Sequence, residues 1–317
     1  MSPPALSSSS RRPVEFPRTD EPDFARLVSN PQDNADDLLC LAPHTSKRIW
    51  FEIERVRVRP IVYERWGLRS VFPYPRTTLN FAGPSGTGKT LAAHYVAKKL
   101  GKPLLAASYA DIVSKYIGQT ARNLHALFRF AAQEDVVVLI DEAEAFLSQR
   151  IEDISDGTDH TINSMRNQLL TELEKTPITS IVASNLAHTY DKAFQARVST
   201  IHFPLPDQKV QERIWRAHLP KSVPLAPNIT PTRLAQEFRG LDGRQIASVV
   251  DKAATWAVIE NQPAVRMQDF KLAVGAVTTT LDQRKPKPAK SARINLARPK
   301  PNARSSPLLR GEDSENE

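Results

Sequence analysis

With 317 residues, 40% of them hydrophobic and 25% charged, the chain has a globular composition and room for one large domain, or one with a smaller companion. The longest clean aliphatic run, Val136 to Ile140, is far too short to span a bilayer, and no apolar stretch follows the first arginines as a secretory signal would require. One cysteine, Cys40, excludes an internal disulfide or a cysteine metal cluster and fits a reducing, cytoplasmic setting, while the net charge of +8 is dispersed and makes no case for a nucleic-acid groove.

In chain order, residues 1–38 are rich in Pro, Ser and acids without an apolar period, and are expected to be disordered. Their Ser-rich, basic start leaves an organelle transit peptide as an alternative. An amphipathic segment from Lys47 to Val58 follows, with Trp50, Phe51 and Ile53 expected to pack against a sheet. Thr77 to Ala82 reads as a strand running into a Gly-rich turn. A helix comes next, because Leu91, Ala92, Tyr95, Val96 and Leu100 recur at helical spacing and Gly101 stops it. His94 on that helix is expected at its exposed edge.

Leu104 to Ala107 reads as a short strand, and Leu124, Leu127, Phe128 and Ala131 mark another helical face. Val136 to Ile140 has the unbroken apolar pattern of a central strand buried on both sides. A helix over about Ser164 to Leu173, a strand from Ile178 to Ala183 and a last strand from Thr200 to Phe203 complete the alternation. That order predicts an α/β fold, a parallel sheet flanked by helices. After Asp207 helices are predicted over 208–219, 231–239, 243–260 and 267–281. The expected division is an α/β nucleotide-binding domain over 39–207, a small helical lid over 208–283 and a basic, Pro-rich tail over 284–317. The tail reads as a flexible tether, or else as an arm for a phosphate or an acidic partner.

The residues that carry chemistry begin with Gly83-Pro84-Ser85-Gly86-Thr87-Gly88-Lys89-Thr90, a full G-x-x-x-x-G-K-[ST] after a strand and before a helix. The glycines let the backbone curl so that successive N–H groups face inward and cradle phosphate oxygens. Lys89 reaches the β- and γ-phosphates of ATP, and the Thr90 hydroxyl ligates Mg²⁺. The second signal is Asp141-Glu142 directly after the apolar strand, at the carboxyl edge where open α/β sheets bind ligands. Asp141 is expected to hold Mg²⁺, and Glu142 to polarise the attacking water. Asn185 follows a third strand, where it either orients that water or simply starts a turn. No histidine pair stands at metal-ligand spacing.

Taken together, residues 44–283 resemble the AAA+ ATPases, and within them the single-module, bacterial-type members of the classical AAA clade. Beyond the nucleotide motifs the likeness rests on Ser114-Lys-Tyr-Ile-Gly118, Asn167-Gln-Leu-Leu-Thr-Glu-Leu173, Asp191-Lys-Ala-Phe194 and Phe203-Pro-Leu-Pro-Asp207. The resemblance implies that Asn185 is the sensor 1 residue and that Arg197 is an arginine finger reaching the nucleotide of a neighbouring subunit. The family often carries a second arginine a few residues on, but this chain reads Arg197-Val-Ser-Thr-Ile, so only one finger is expected there. Tyr116 matches the pore-loop aromatic, which grips an extended polypeptide; the alternative is a core tyrosine that anchors its loop. Residues 151–161 match the second pore loop in position only. Arg244 lies near the sensor 2 region, where a plain surface arginine is the competing reading.

The expected function is hydrolysis of ATP by a homo-oligomeric ring, a hexamer, that remodels or unfolds a protein client without entering a membrane. Two alternatives stand beside it. One is a nucleotide-controlled scaffold, and the other a nucleic-acid loader, against which speaks the lack of any helix-turn-helix, zinc knuckle or aromatic-basic stripe.

Overall fold

A computed structural model of the chain describes residues 22–72, 77–112, 119–144, 157–185 and 192–282. Its elements in order are β1 (Val28–Ser29), α1 (Ala35–Leu38), α2 (Pro43–Arg57), β2 (Thr77–Ala82), α3 (Lys89–Leu100), β3 (Leu104–Ser108), α4 (Tyr109–Ile112), α5 (Gln119–Gln133), β4 (Val137–Asp141), α6 (Gly157–Lys175), β5 (Thr179–Ser184), α7 (Lys192–Gln195) and β6 (Ser199–His202). Four helices follow: α8 (Gln208–His218), α9 (Pro231–Glu237), α10 (Gly243–Ile259) and α11 (Met267–Asp282).

Among the described residues the strands form one sheet in the order β1-β3-β4-β5-β2-β6. Only the β1–β3 pairing is antiparallel. Side chains alternate across a strand, and β4 shows what that does here. Val138 and Ile140 join Leu124, Leu127 and Phe128 of α5 and Leu169 and Leu173 of α6 on one face. Val137 and Leu139 join Ile49 and Ile53 of α2 and Ala92 and Val96 of α3 on the other. Both faces are covered, so the middle strand is apolar throughout. No helix among the described residues is long and apolar enough to cross a membrane.

Two expectations are corrected. Residues 22–38 are not a disordered extension: Val28 and Ser29 pair with Leu105 and Leu104, and Phe24 and Ala35 are buried. Polar contacts tie this segment to α3. Asp36 pairs with Lys98 and Lys99 at 2.7 and 2.5 Å, and the Gln32 N–H donates to Nδ1 of a half-buried His94 at 3.4 Å. Trp50 and Phe51 do not pack against the sheet either. α2 seats Ile49, Glu52 and Ile53 inward, leaving both aromatics 57% exposed.

The last four helices enclose a third apolar cluster. At its centre is the fully buried Trp215, whose ring lies 6.2 Å from that of Phe238 and 5.9 Å, edge-on, from that of Phe270. Side-chain caps set the starts of three of them. Asp207 accepts from the Val210 N–H, Thr230 from the Arg233 N–H, and Asp242 closes a capping box with Gln245.

Candidate functional site

The Gly-rich turn lies between the end of β2 and the start of α3, and its shape explains its glycines. A Cβ on Gly83 would stand 2.1 Å from the backbone oxygen of Phe203, so only glycine lets the loop pass that close. Gly88 caps α3 in the left-handed region, φ 93°, which turns the chain into the helix. The loop therefore delivers its N–H groups and the helix N-terminus to a single spot.

Lys89 is buried, and its Nζ donates to the carbonyls of Gly83 and Pro84 at 2.7 and 2.8 Å and to Oδ1 of Asn185 at 2.8 Å. Burial pushes its pKa below the ordinary lysine value, Asp141 and Glu144 pull it back up, and Arg244 pushes it down further. The Thr90 hydroxyl donates to Oδ2 of Asp141 at 2.8 Å, so an oxygen from the first turn of α3 and one from the end of β4 meet as the sequence motifs require. The other Asp141 oxygen accepts the Glu142 N–H at 2.9 Å. Glu142 itself has φ 53°, a left-handed conformation that a non-glycine residue adopts at a cost. The strand ends there, and Glu142 lines the same cleft as the Gly-rich loop.

That cleft holds about 590 Å³ and its lining is of two kinds. One is polar, from Ser85 to Thr90, Asp141, Glu142 and Asn185. The other is apolar, from Leu39, Leu41, Val210, Ile214 and Ala247, with Leu39 and Leu41 within 4.0 Å of where a Cβ on Gly88 would stand. A polar cradle for phosphates next to an apolar slot for a flat base is the arrangement a nucleotide needs.

Several parts of this site were not legible in the motifs. The stretch from Leu38 to Thr45 forms a wall of the cleft. Glu144 accepts the backbone N–H of Asn185 and so holds the end of β5 beside β4. From the helical side, the Gly243 N–H donates to the carbonyl of Gly86 at 3.1 Å. The signal for this last contact was present as Asp242-Gly243-Arg244-Gln245, a capping box that places a helix start here. Arg244 is exposed, yet it lines the nucleotide cleft rather than a remote surface.

Arg197 is the exception among the sequence candidates. It follows α7 and lines a different cleft, at the amino-terminal ends of β2 and β6. Its Nη1 donates to the Ala193 carbonyl at 2.6 Å. Its Nε stands 2.7 Å from Oε1 of Glu174, a charge contact whose angle falls outside hydrogen-bond geometry. Tyr116, the tail from 284 and most of 151–161 lie outside the described residues.

The model of the ATPase family associated with various cellular activities (AAA) matches residues 79–205. The chain is 32% identical over 211 residues to 26S proteasome regulatory subunit 8 of Caenorhabditis elegans, covering 64% of this chain and 50% of that protein. It is 33% identical over 213 residues to the ATP-dependent zinc metalloprotease FtsH of Caulobacter vibrioides, covering 64% and 33%. With the proteasome-activating nucleotidase of Methanopyrus kandleri it shares 30% identity over 233 residues, covering 71% and 52%. The chain thus spans about half or less of these relatives' length.

Proposed function

We propose that this chain, which is an AAA+ ATPase of the classical clade, works as a ring of identical subunits that hydrolyses ATP at the subunit boundaries and pulls on a protein segment. The observation that carries the reading is a division of labour. Gly83 to Thr90, Asp141, Glu142 and Asn185 share one cleft, whereas Arg197 lines another. An arginine so placed is away from its own subunit's Gly-rich loop, which supports a role on a nucleotide held by a second copy over that of a solvated surface charge.

The Gly-rich loop receives the triphosphate, and Lys89, already beside Gly83 and Pro84, neutralises it. The pair formed by Thr90 Oγ1 and Asp141 Oδ2 supplies hard oxygen donors of the kind magnesium takes. Bound there with ATP, the ion would neutralise charge on the β- and γ-phosphates. Glu142 accepts a proton from the attacking water. The Asn185 oxygen is engaged by Lys89, which leaves its amide N–H groups to orient that water. Arg197 from the neighbouring copy stabilises charge in the transition state, a contribution worth about 10³- to 10⁵-fold in phosphoryl transfer. α10, bonded to Gly86 through Gly243, follows changes at the nucleotide and carries them to the helical part. Tyr116 grips the client in the central channel, where an aromatic packs on any backbone.

The test is light scattering after size exclusion of the Glu142→Gln protein with and without ATP·Mg²⁺. A discrete ring, expected as a hexamer, is the predicted species. A monomer at saturating ATP overturns the ring.

A further inference from the structure

The cleft that holds Arg197 contains more positive charge than one finger needs. About 670 Å³ in volume, it is lined, among the described residues, by the guanidinium groups of Arg48, Arg55 and Arg197 against the carboxylate of Glu174. Two of the three are engaged. Arg55 stands 3.2 Å from the Glu52 carboxylate and donates to the Thr77 hydroxyl, and Arg197 is held by Glu174 and the Ala193 carbonyl. Arg48 is exposed and has no hydrogen bond or ion pair among the described residues. α2 brings it there for a plain reason. Ile49, Glu52 and Ile53 face inward, with Glu52 accepting from the Ser199 hydroxyl, and this fixes Arg48 at the rim of β6.

The rim also carries Val71 and Phe72, 70% and 56% exposed. Unpaired positive charge beside uncovered apolar side chains calls for a partner that is anionic with an apolar border. This chain has such a surface, the mouth of its own nucleotide cleft, where Glu142 and a triphosphate would lie next to Leu205, itself 54% exposed.

We propose that Arg48 is a second arginine acting on the neighbouring copy's nucleotide. It comes from α2 and not from the turn that carries Arg197, where the sequence runs on as Val-Ser-Thr. This inference rests on the ring reading above, and it assigns that reading a residue no motif pointed to. The two guanidiniums enter the boundary from different elements, so they can hold a transferring phosphoryl group from two sides.

The experiment measures phosphate release by Arg48→Ala, Arg48→Lys and Arg197→Ala, each alone and each mixed with Lys89→Ala subunits. The last provide intact arginines but no working loop. Arg48→Ala is expected to lose about 10- to 100-fold in kcat, with ATP affinity and thermal melting unchanged. Arg48→Lys should recover only part of the loss, because charge returns without the fork. Mixing Arg48→Ala with Lys89→Ala should restore turnover, since some intact loops then face an intact Arg48. Full activity of Arg48→Ala overturns the inference. So does a loss that mixing does not repair while the Arg197→Ala mixture does recover, for Arg48 would then act within its own subunit. If neither mixture recovers, the ring reading falls and takes the inference with it.

Discussion

Lys89 and Asn185, 96 residues apart in sequence, are joined by a 2.8 Å hydrogen bond from Nζ to Oδ1. The bond ties the Gly-rich loop to the end of β5, so the residue proposed to meet the phosphates and the residue proposed to face the water are set by one contact. Asn185→Ala should therefore bind ATP nearly as well as the parent but turn over about 100-fold more slowly. Asn185→Asp should behave differently. Its carboxylate pairs with Lys89 and repels the triphosphate, so affinity itself should drop. Calorimetry with ATP·Mg²⁺ alongside steady-state phosphate release separates the two. Equal affinities for both variants would mean that a carboxylate at this position neither engages Lys89 nor repels the triphosphate.

Glu142 joins chemistry to strain. At φ 53° it occupies a conformation that costs a non-glycine residue about 1–3 kcal/mol. Glu142→Gln keeps the strain and loses the base, so it should hold ATP while turnover falls by about 10²- to 10⁴-fold. Glu142→Gly also loses the base but releases the strain. Its melting temperature without nucleotide should be no lower than that of the parent, although an exposed glutamate has become glycine. A clear fall in melting would show that the conformation is not strained.

These two residues also show what a sequence can and cannot reveal. Thr77–Ala82 and Leu104–Ser108 were legible because burial and flanking turns leave a local pattern, and the nucleotide loop because its glycines are dictated by its own backbone. Trp50 and Phe51 misled, since an amphipathic helix offers an apolar stripe wider than the one it buries, and Ile49 with Ile53 took the inner side. Residues 22–38 look disordered by composition because their order comes from partners far along the chain, Leu105 for Val28 and Lys98 for Asp36. Arg244 was open between the sensor 2 region and a plain surface arginine, because the helix start at Asp242 leaves a local signal while the docking of Gly243 against Gly86, which brings Arg244 to the cleft, joins parts of the chain far apart in sequence.

Lys89 predicts a pH dependence with opposite signs for stability and binding. Burial lowers its pKa in the folded protein below the ordinary lysine value of 10.5. Between that depressed value and 10.5 the unfolded chain binds more protons than the folded one, so this group's contribution to stability rises with pH there. The cost of burying the ammonium is fully present below the folded pKa and is relieved as pH climbs through it. ATP needs the charged form, so affinity should weaken over the same alkaline window, before a free lysine would titrate. In Lys89→Arg the guanidinium stays charged, and the slope in affinity should vanish whatever the absolute affinity becomes. Titrations of both proteins across that range check this, and matching slopes would assign the effect to another group.

The contact between the loop and α10 gives the most demanding prediction. Gly86 has φ 77°, and a Cβ placed on it would lie 2.3–2.5 Å from the carboxyl atoms of Asp242. Gly86→Ala therefore meets two obstacles, a strained backbone and the cap of the neighbouring helix. It should be destabilised by about 1–3 kcal/mol and lose at least about tenfold in ATP affinity, because the Gly243 bond to Gly86 cannot form as α10 backs away. Asp242→Gly by itself should be mild, since glycine at a helix N-cap costs only about a few tenths of a kcal/mol against aspartate. Combined with Gly86→Ala it removes the carboxyl that clashes. The double variant should then bind ATP more tightly than Gly86→Ala alone, a coupling of about 0.5–3 kcal/mol for residues in contact. Strict additivity in that cycle would mean the carboxyl is not what Gly86 avoids, and that the left-handed backbone alone makes glycine necessary there.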